Sequence, residues 1–332
     1  MAPHISAPAR SALPLPLGLI LALIAGVAMP AQGRTNSQLG ARLGDGLAAA
    51  LISFSVGLVI ILLIAAILPA GRRSVRAIPA TLRARVFPWW YMLAGAIGAY
   101  FVLSQGLVVG VIGIAVFTVA NVTGQSLGGM VVDATGFGPG GRRPVTGVRI
   151  IGVAIMLGAV VWAVSPKLGE ALHHPAQLLL PMLLPLTAGI LNGFQTAMNG
   201  TQTKHYGNFI PATVFNFVAG TVVLGIAFAI KLGIAGPAGP LPHEPWLYLG
   251  GAMGVVFIGL SAYLARHLGV LLTSLGMIAG QLLGSLLLDA VWPSDAAGIA
   301  LPTVLGSLLA IGAVCLASIQ PGATMPWERK RG

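Results

Sequence analysis

Two glutamine–asparagine pairs, Gln32 with Asn36 and Gln195 with Asn199, stand in apolar stretches of this chain, each four residues apart. On a helix that spacing puts both amides on one face. An unpaired amide in hydrocarbon is costly, so such a face must turn toward other helices or a water-filled cavity. Its chemistry is hydrogen bonding, either to a small polar solute or between helices as structural glue, and the two roles are compatible. A second polar stripe carries Thr118, Asn121, Gln125 and Asp133, and another carries Ser274, Gln281, Ser285 and Asp289. Gln125 and Gln281 are the better candidates there to line a pathway. Gly124 and Gly128, with Gly280 and Gly284, form a small-residue pattern that lets a neighbouring backbone approach closely. Asp133 and Asp289 each fall at the end of an apolar run. A structural ion pair or helix-end contact is the expected role, and a proton relay is the alternative. Arg34, on the run that bears Gln32, is expected to snorkel to the outer interface, and attraction of an anionic group is the alternative.

These residues recur at constant offsets. Adding 163 carries Gly26, Gln32, Asn36, Phe54 and Gly57 to Gly189, Gln195, Asn199, Phe217 and Gly220. Adding 156 carries Trp90, Gly95, Gly98, Gln125 and Asp133 to Trp246, Gly251, Gly254, Gln281 and Asp289. Near the ends, 154 carries Gly152 and Gly158 to Gly306 and Gly312. One unit is written twice, and such a repeat sets the architecture before any local motif does.

Of the 332 residues, 56% are hydrophobic and 8% charged. An ordinary soluble domain carries about a quarter charged residues, so lipid is the expected solvent. A membrane-crossing helix needs about 20 apolar residues. Ten such runs are legible, near 16–39, 46–68, 88–108, 112–133, 147–165, 180–203, 208–231, 245–264, 269–290 and 300–319. Tight hairpins are expected at Val108 to Ile112 and at Leu264 to Gly269. The expected organisation is a cytoplasmic tail over 1–15, a five-helix repeat over 16–165 and an extracytoplasmic linker over 166–179. A second repeat follows over 180–319, and then a basic tail over 320–332.

Lys and Arg distribute unevenly between the two sides of these runs. Fourteen lie on one side, from Arg10 through the Arg72–Arg85 and Arg142–Arg149 groups, Lys204 and Arg266 to Arg329, Lys330 and Arg331. Arg34, Arg42, Lys167 and Lys231 lie on the other. The bias places both termini in the cytoplasm. Five crossings per repeat make the second copy enter from the opposite face, which predicts an all-α integral membrane protein of two inverted repeats. That plan recurs in secondary transporters.

Several other readings lose ground. The net charge of +11 sits between apolar runs rather than on a basic, aromatic surface, which argues against nucleic-acid binding. The one cysteine, Cys315, can form no intrachain disulfide, and a zinc site needs several ligands. His173 and His174 lack further ligands nearby, so neither metal nor other cofactor is expected. The Gly136–Gly141 stretch lacks the lysine and hydroxyl of a phosphate loop and reads as a turn. The segment from Arg10 to Ala31 has signal-peptide features but continues in register with the second copy, so it reads as the first membrane helix. No enzyme signature appears. The middles of the spans lack Asp and Glu, which disfavours coupling through a buried acid.

The pattern Gly26, Gln32, Asn36, Ser53-Phe54, Gly57, Pro88-Trp89-Trp90, Gly95, Gly98, Gly124-Gln125 and Asp133 resembles the YdcZ-like branch of the drug/metabolite transporter superfamily. It extends over about 17–163 and again 181–319. The second half departs from the first, with Asn216 in place of Ser53 and Pro245-Trp246 in place of Pro88-Trp89-Trp90. The resemblance implies a bacterial inner-membrane protein with a ten-helix inverted-repeat fold that exports a small metabolite or drug-like solute. The expected partners are membrane lipid and that solute, and a homo-oligomer is compatible with the pattern. The first-helix glutamate of the small multidrug pumps is missing, so their proton–cation exchange is not implied. A membrane subunit without a path of its own, and a translocator of a lipid-linked substrate, are the rival readings.

Overall fold

A computed structural model describes residues 14–138, 141–142, 146–165, 175–267, 270–292 and 301–317. The described residues are helical, with no strand among them. The helices are α1 (Leu15–Leu43), α2 (Gly46–Ile67), α3 (Pro69–Arg83), α4 (Gly95–Ile112), α5 (Ile114–Thr135), α6 (Gly147–Val164), α7 (Pro175–Tyr206), α8 (Ile210–Ala235), α9 (Gly250–His267), α10 (Val270–Val291) and α11 (Leu301–Ala317). Short 3₁₀ turns at Trp89–Ala94 and Pro245–Tyr248 lead into α4 and α9.

Local chemistry sets the corners. Gly44, in the left-handed conformation at φ 61°, ends α1, and the Asp45 carboxylate starts α2 by accepting the Leu47 and Ala48 N–H groups at 3.0 and 3.1 Å. The first tight hairpin turns at Gly113 (φ 83°) rather than within 108–112: α4 runs on through Gly110 to Ile112, and glycine takes the positive φ of the turn without strain. Residues 268–269 of the second expected hairpin, residues 166–174 of the linker with its paired histidines, and residues 1–13 and 318–332 of the tails lie outside the described residues, while α7 begins at Pro175, inside the expected linker. One helix was not legible as a span. α3 is short and carries Arg72, Arg73, Arg76 and Arg83, and it follows Leu68, whose extended backbone stops α2 just before Pro69.

By length and composition, five segments among the described residues can cross a membrane: Pro16–Leu43, Gly46–Ile67, Trp89–Ile112, Ile114–Thr135 and Ile210–Ala235. Shorter apolar stretches include Ile150–Ala159, Gly250–Ser261, Gly276–Val291 and Leu301–Ala313. The exterior is apolar: Leu62, Leu63, Val222, Ile226 and Ile230 all stand exposed. Such a surface suits lipid rather than water.

Packing between the halves is reciprocal. α1 lies along α10 and α9, while α7 lies along α5 and α4. α2 packs on α9 as α8 packs on α4, and α2 meets α8 as α6 meets α11. The match extends to single atoms. A Cβ placed on Gly26 would overlap the Met277 carbonyl oxygen and come 2.8 Å from Gly280 Cα. One placed on Gly189 would overlap the Asn121 carbonyl and come 2.9 Å from Gly124 Cα. Gly57 lies against the Phe217 ring and Gly220 against Phe54, and the two rings meet at 5.3 Å between centroids. The small-residue pattern thus seats each repeat's first helix on the other repeat.

Gly26→Ala or Gly189→Ala should therefore destabilise the detergent-solubilised protein by about 1–3 kcal/mol through overpacking. Gly225→Ala, with nothing within 4 Å, should leave the melting temperature unchanged or slightly higher. Thermal unfolding of the three variants checks the contrast.

Candidate functional site

The polar residues of the interior fall into separate networks. In the first half, Asn36 Nδ2 donates to Gln105 Oε1 at 3.0 Å, and both side chains are buried. Gln32, also buried, rests its amide beside Gly254 of α9. In the second half, Gln195 Nε2 donates to Asn216 Oδ1 at 2.9 Å, and Asn216 Nδ2 donates to Asn199 Oδ1 at 2.6 Å. Gln195 also rests on Gly98 of α4, beside Phe54. The four sequence-nominated amides therefore do not meet in one cluster. Each glutamine lies across the boundary between halves, with the Phe54–Phe217 contact between the two groups.

The stripe on α5 and α10 behaves unevenly. Gln281 is buried, whereas Gln125 is half-buried with its Nε2 enclosed and without a hydrogen-bond partner. Asn192 of α7 reaches Asn121 Oδ1 at 3.5 Å. Asp133 and Asp289 match in sequence but not in surroundings. Asp133 is partly exposed near the C-terminal end of α5. Asp289 is buried, accepts the Ala115 N–H at 2.9 Å and lies 3.9 Å from the Arg34 guanidinium. It closes the N-terminal turn of α5, where a carboxylate is favoured. Arg34 does not snorkel. At 4% exposure it points inward, because Asp289 supplies its counter-charge across the boundary.

Two further ion pairs join the halves near the C-terminal end of α1. Lys231 of α8 lies 2.7 Å from Asp45, and Arg42 lies 3.1 Å from the Glu244 carboxylate. The Gly239 N–H donates to the Leu43 carbonyl at 2.9 Å, fastening the loop before α9 to the same end. A cavity of about 220 Å³ opens there, lined by Gln38, Ala41, Arg42, Trp246, Leu247 and Trp292. Gln38 follows Arg34 by one helical turn and Trp292 follows Asp289 by about one, so the cavity lies just beyond the buried pair.

The opposite end is aromatic. Phe87 meets Tyr206 at 6.0 Å and His205 at 5.9 Å, and Phe137 meets Phe194 at 5.5 Å. Trp90 packs on Phe137, and Gln202 Nε2 donates to the Tyr91 carbonyl at 2.9 Å. One end is therefore held across the halves by charge and the other by rings.

Sequence reasoning missed Gln105, Asp45 and Lys231. Gln105 has Ser261 at the matched position, so a search for recurring residues passes over it although an amide in an apolar run is itself a signal. Asp45 and Lys231 are 186 residues apart, and nothing local announces their pairing. Among the described residues, no group of three His, Cys, Asp or Glu side chains is placed to hold a metal ion.

The profile of the family described as "Putative inner membrane exporter, YdcZ" matches residues 17–162 and, a second time, 180–316. No curated protein matches the chain.

Two expectations follow from the ionic end. Arg34→Met strands a buried carboxylate, which costs about 3–5 kcal/mol. Adding Asp289→Asn should cost less than the sum of the single effects in a double-mutant cycle on thermal or chemical unfolding. At Asp45, burial pushes the carboxyl up, but the Lys231 hydrogen bond and charge and the Ala48 and Leu47 N–H groups outweigh it and hold the pKa low. A depressed folded pKa gives stability that is complete above the unfolded value and is lost as pH falls through the folded one. Wild type should therefore melt above Asp45→Asn at pH 7, and the two should converge only below roughly pH 4.

Proposed function

The chain belongs to the YdcZ family of inner-membrane exporters, matched once in each half, and from that premise we propose that it moves a small polar solute by alternating access. The observation that carries this reading is the reciprocal packing: α1 on α10 and α9, and α7 on α5 and α4. The C-terminal end of α1 meets the C-terminal end of α8 through Asp45 and Lys231. The C-terminal end of α7 meets the start of α4 at the other end, through Gln202 and Tyr91. These contacts support two repeats of opposite orientation, while the ten apolar runs and the bias of Lys and Arg support ten crossings with both termini in the cytoplasm. An inverted pair has two related conformations, since exchanging the halves' arrangements turns an inward-facing path into an outward-facing one.

The chemistry assigns parts to this cycle. Arg34–Asp289, Lys231–Asp45 and Arg42–Glu244 hold the extracytoplasmic end shut, and the aromatic contacts around Phe87, Phe137 and Tyr206 hold the cytoplasmic end. Rocking one half against the other breaks one set while keeping the other. Gln32, Asn36, Gln195 and Asn199 contact the solute between the two ends, with Gln125 and Gln281 beside them. A bound solute biases the rocking by as much as it binds one arrangement better than the other.

The test is counterflow of a metabolite mixture in proteoliposomes, with and without a pH gradient. Gln32→Ala combined with Gln195→Ala should abolish flux while membrane abundance stays unchanged. If abundance falls with the flux, the amides serve only as glue. Flux indifferent to the gradient fits recognition by uncharged amides, whereas acceleration by it makes Asp289 or Asp133 a coupling group.

A further inference from the structure

Among the places where the two halves differ, one lies in the polar interior around Ser53 and Asn216. In the second half, Asn199 Oδ1 accepts from Asn216 Nδ2, Asn216 Oδ1 accepts from Gln195, and Asn216 Nδ2 also donates to the Ala212 carbonyl at 2.9 Å. That network closes on itself. In the first half the residue matching Asn216 is Ser53, whose side chain is too short to repeat it. Asn36 donates through Nδ2 to Gln105, and its Oδ1 is left buried with no hydrogen-bond partner. Ser53 Oγ is likewise buried and unpartnered, in a residue 2% exposed. Both atoms converge on Gly250 of α9: a Cβ there would overlap Asn36 Oδ1 and come 2.9 Å from Ser53 Oγ. The matching position in the first half is Ala94, which carries that methyl.

We infer that recognition is not shared equally between the halves: Asn36 and Ser53, opened when α9 draws back at Gly250, bind a neutral hydroxyl or amide group of the solute. This inference rests on the transport reading. Buried polar atoms are ordinarily satisfied, and here two of them face one glycine while their counterparts satisfy each other. Asn36 Oδ1 can only accept, and Ser53 Oγ can donate or accept. The fitting group therefore supplies at least one hydrogen, and an alcohol or an amide can also take one from Ser53. A permanent cation without N–H or O–H has nothing to offer Asn36. The second-half amides are already bonded to one another, so their contact with the solute is the weaker of the two.

Purified full-length protein, wild type and with Ser53→Asn or Ser53→Ala, is melted with glycerol, nicotinamide or tetraphenylphosphonium as probes. Glycerol or nicotinamide should raise the wild-type melting temperature, and tetraphenylphosphonium should not. Ser53→Asn rebuilds the second-half network, so it should raise the ligand-free melting temperature and abolish the ligand shift. Ser53→Ala should weaken apparent affinity about tenfold, and it decides the matter if Ser53→Asn does not fold. A shift that survives both substitutions, equal stabilisation by tetraphenylphosphonium, or no shift with either donor probe overturns the inference. Liposome flux of the same probes judges the transport reading separately. A Ser53-dependent shift without flux keeps the site and removes transport, whereas flux untouched by either substitution keeps transport and removes the site.

Discussion

The fold depends on places where backbone meets backbone without room for a side chain, among them Gly26 against Met277 and Gly280, and Gly189 against Asn121 and Gly124. Helices in lipid gain little from the hydrophobic effect on associating, so close packing of small residues must supply much of the attraction. By giving each first helix to the opposite repeat, these contacts make neither half complete alone. They also bring Gln32 and Gln195 to the boundary, since both lie on the same helices six residues further on. The polar interior is a consequence of where the glycines let the helices cross.

From that crossing the two ends diverge. Ion pairs join the halves at one end and ring contacts join them at the other. Leu39 of α1 lies against Leu247, while at the matched position of α7 Gln202 bonds the Tyr91 carbonyl. Asp289 became a buried counter-charge for Arg34, whereas Asp133 stayed at a partly exposed helix end. Sequence divergence on a common frame gave each end its own chemistry.

Much of this was legible beforehand because a repeat is a long-range signal. The offset marks Phe54 and Phe217 as equivalent positions, and the structure adds that their rings meet across the halves. Helix extents followed from apolar runs, with errors at the ends: α1 runs to Leu43 and α8 to Ala235, because the corners depend on Gly44 and Gly236 rather than on hydropathy. What was not legible was pairing between unlike residues. Arg34 looked like a snorkelling side chain until α10 placed Asp289 beside it. Gln105 went unnoticed because its match is a serine. Periodicity shows what is repeated and is silent on contacts between unlike residues.

The central claim is that the ionic end must open and close for solute to pass. Its most direct test places Arg42→Cys and Glu244→Cys in a chain with Cys315→Ser and joins them with a bifunctional thiol reagent across the boundary. Solute counterflow in proteoliposomes is then followed before cross-linking, after it and after its reversal by reductant. The account predicts that flux stops when the end is tied and returns when it is released. Unchanged flux through a fully cross-linked protein would contradict it.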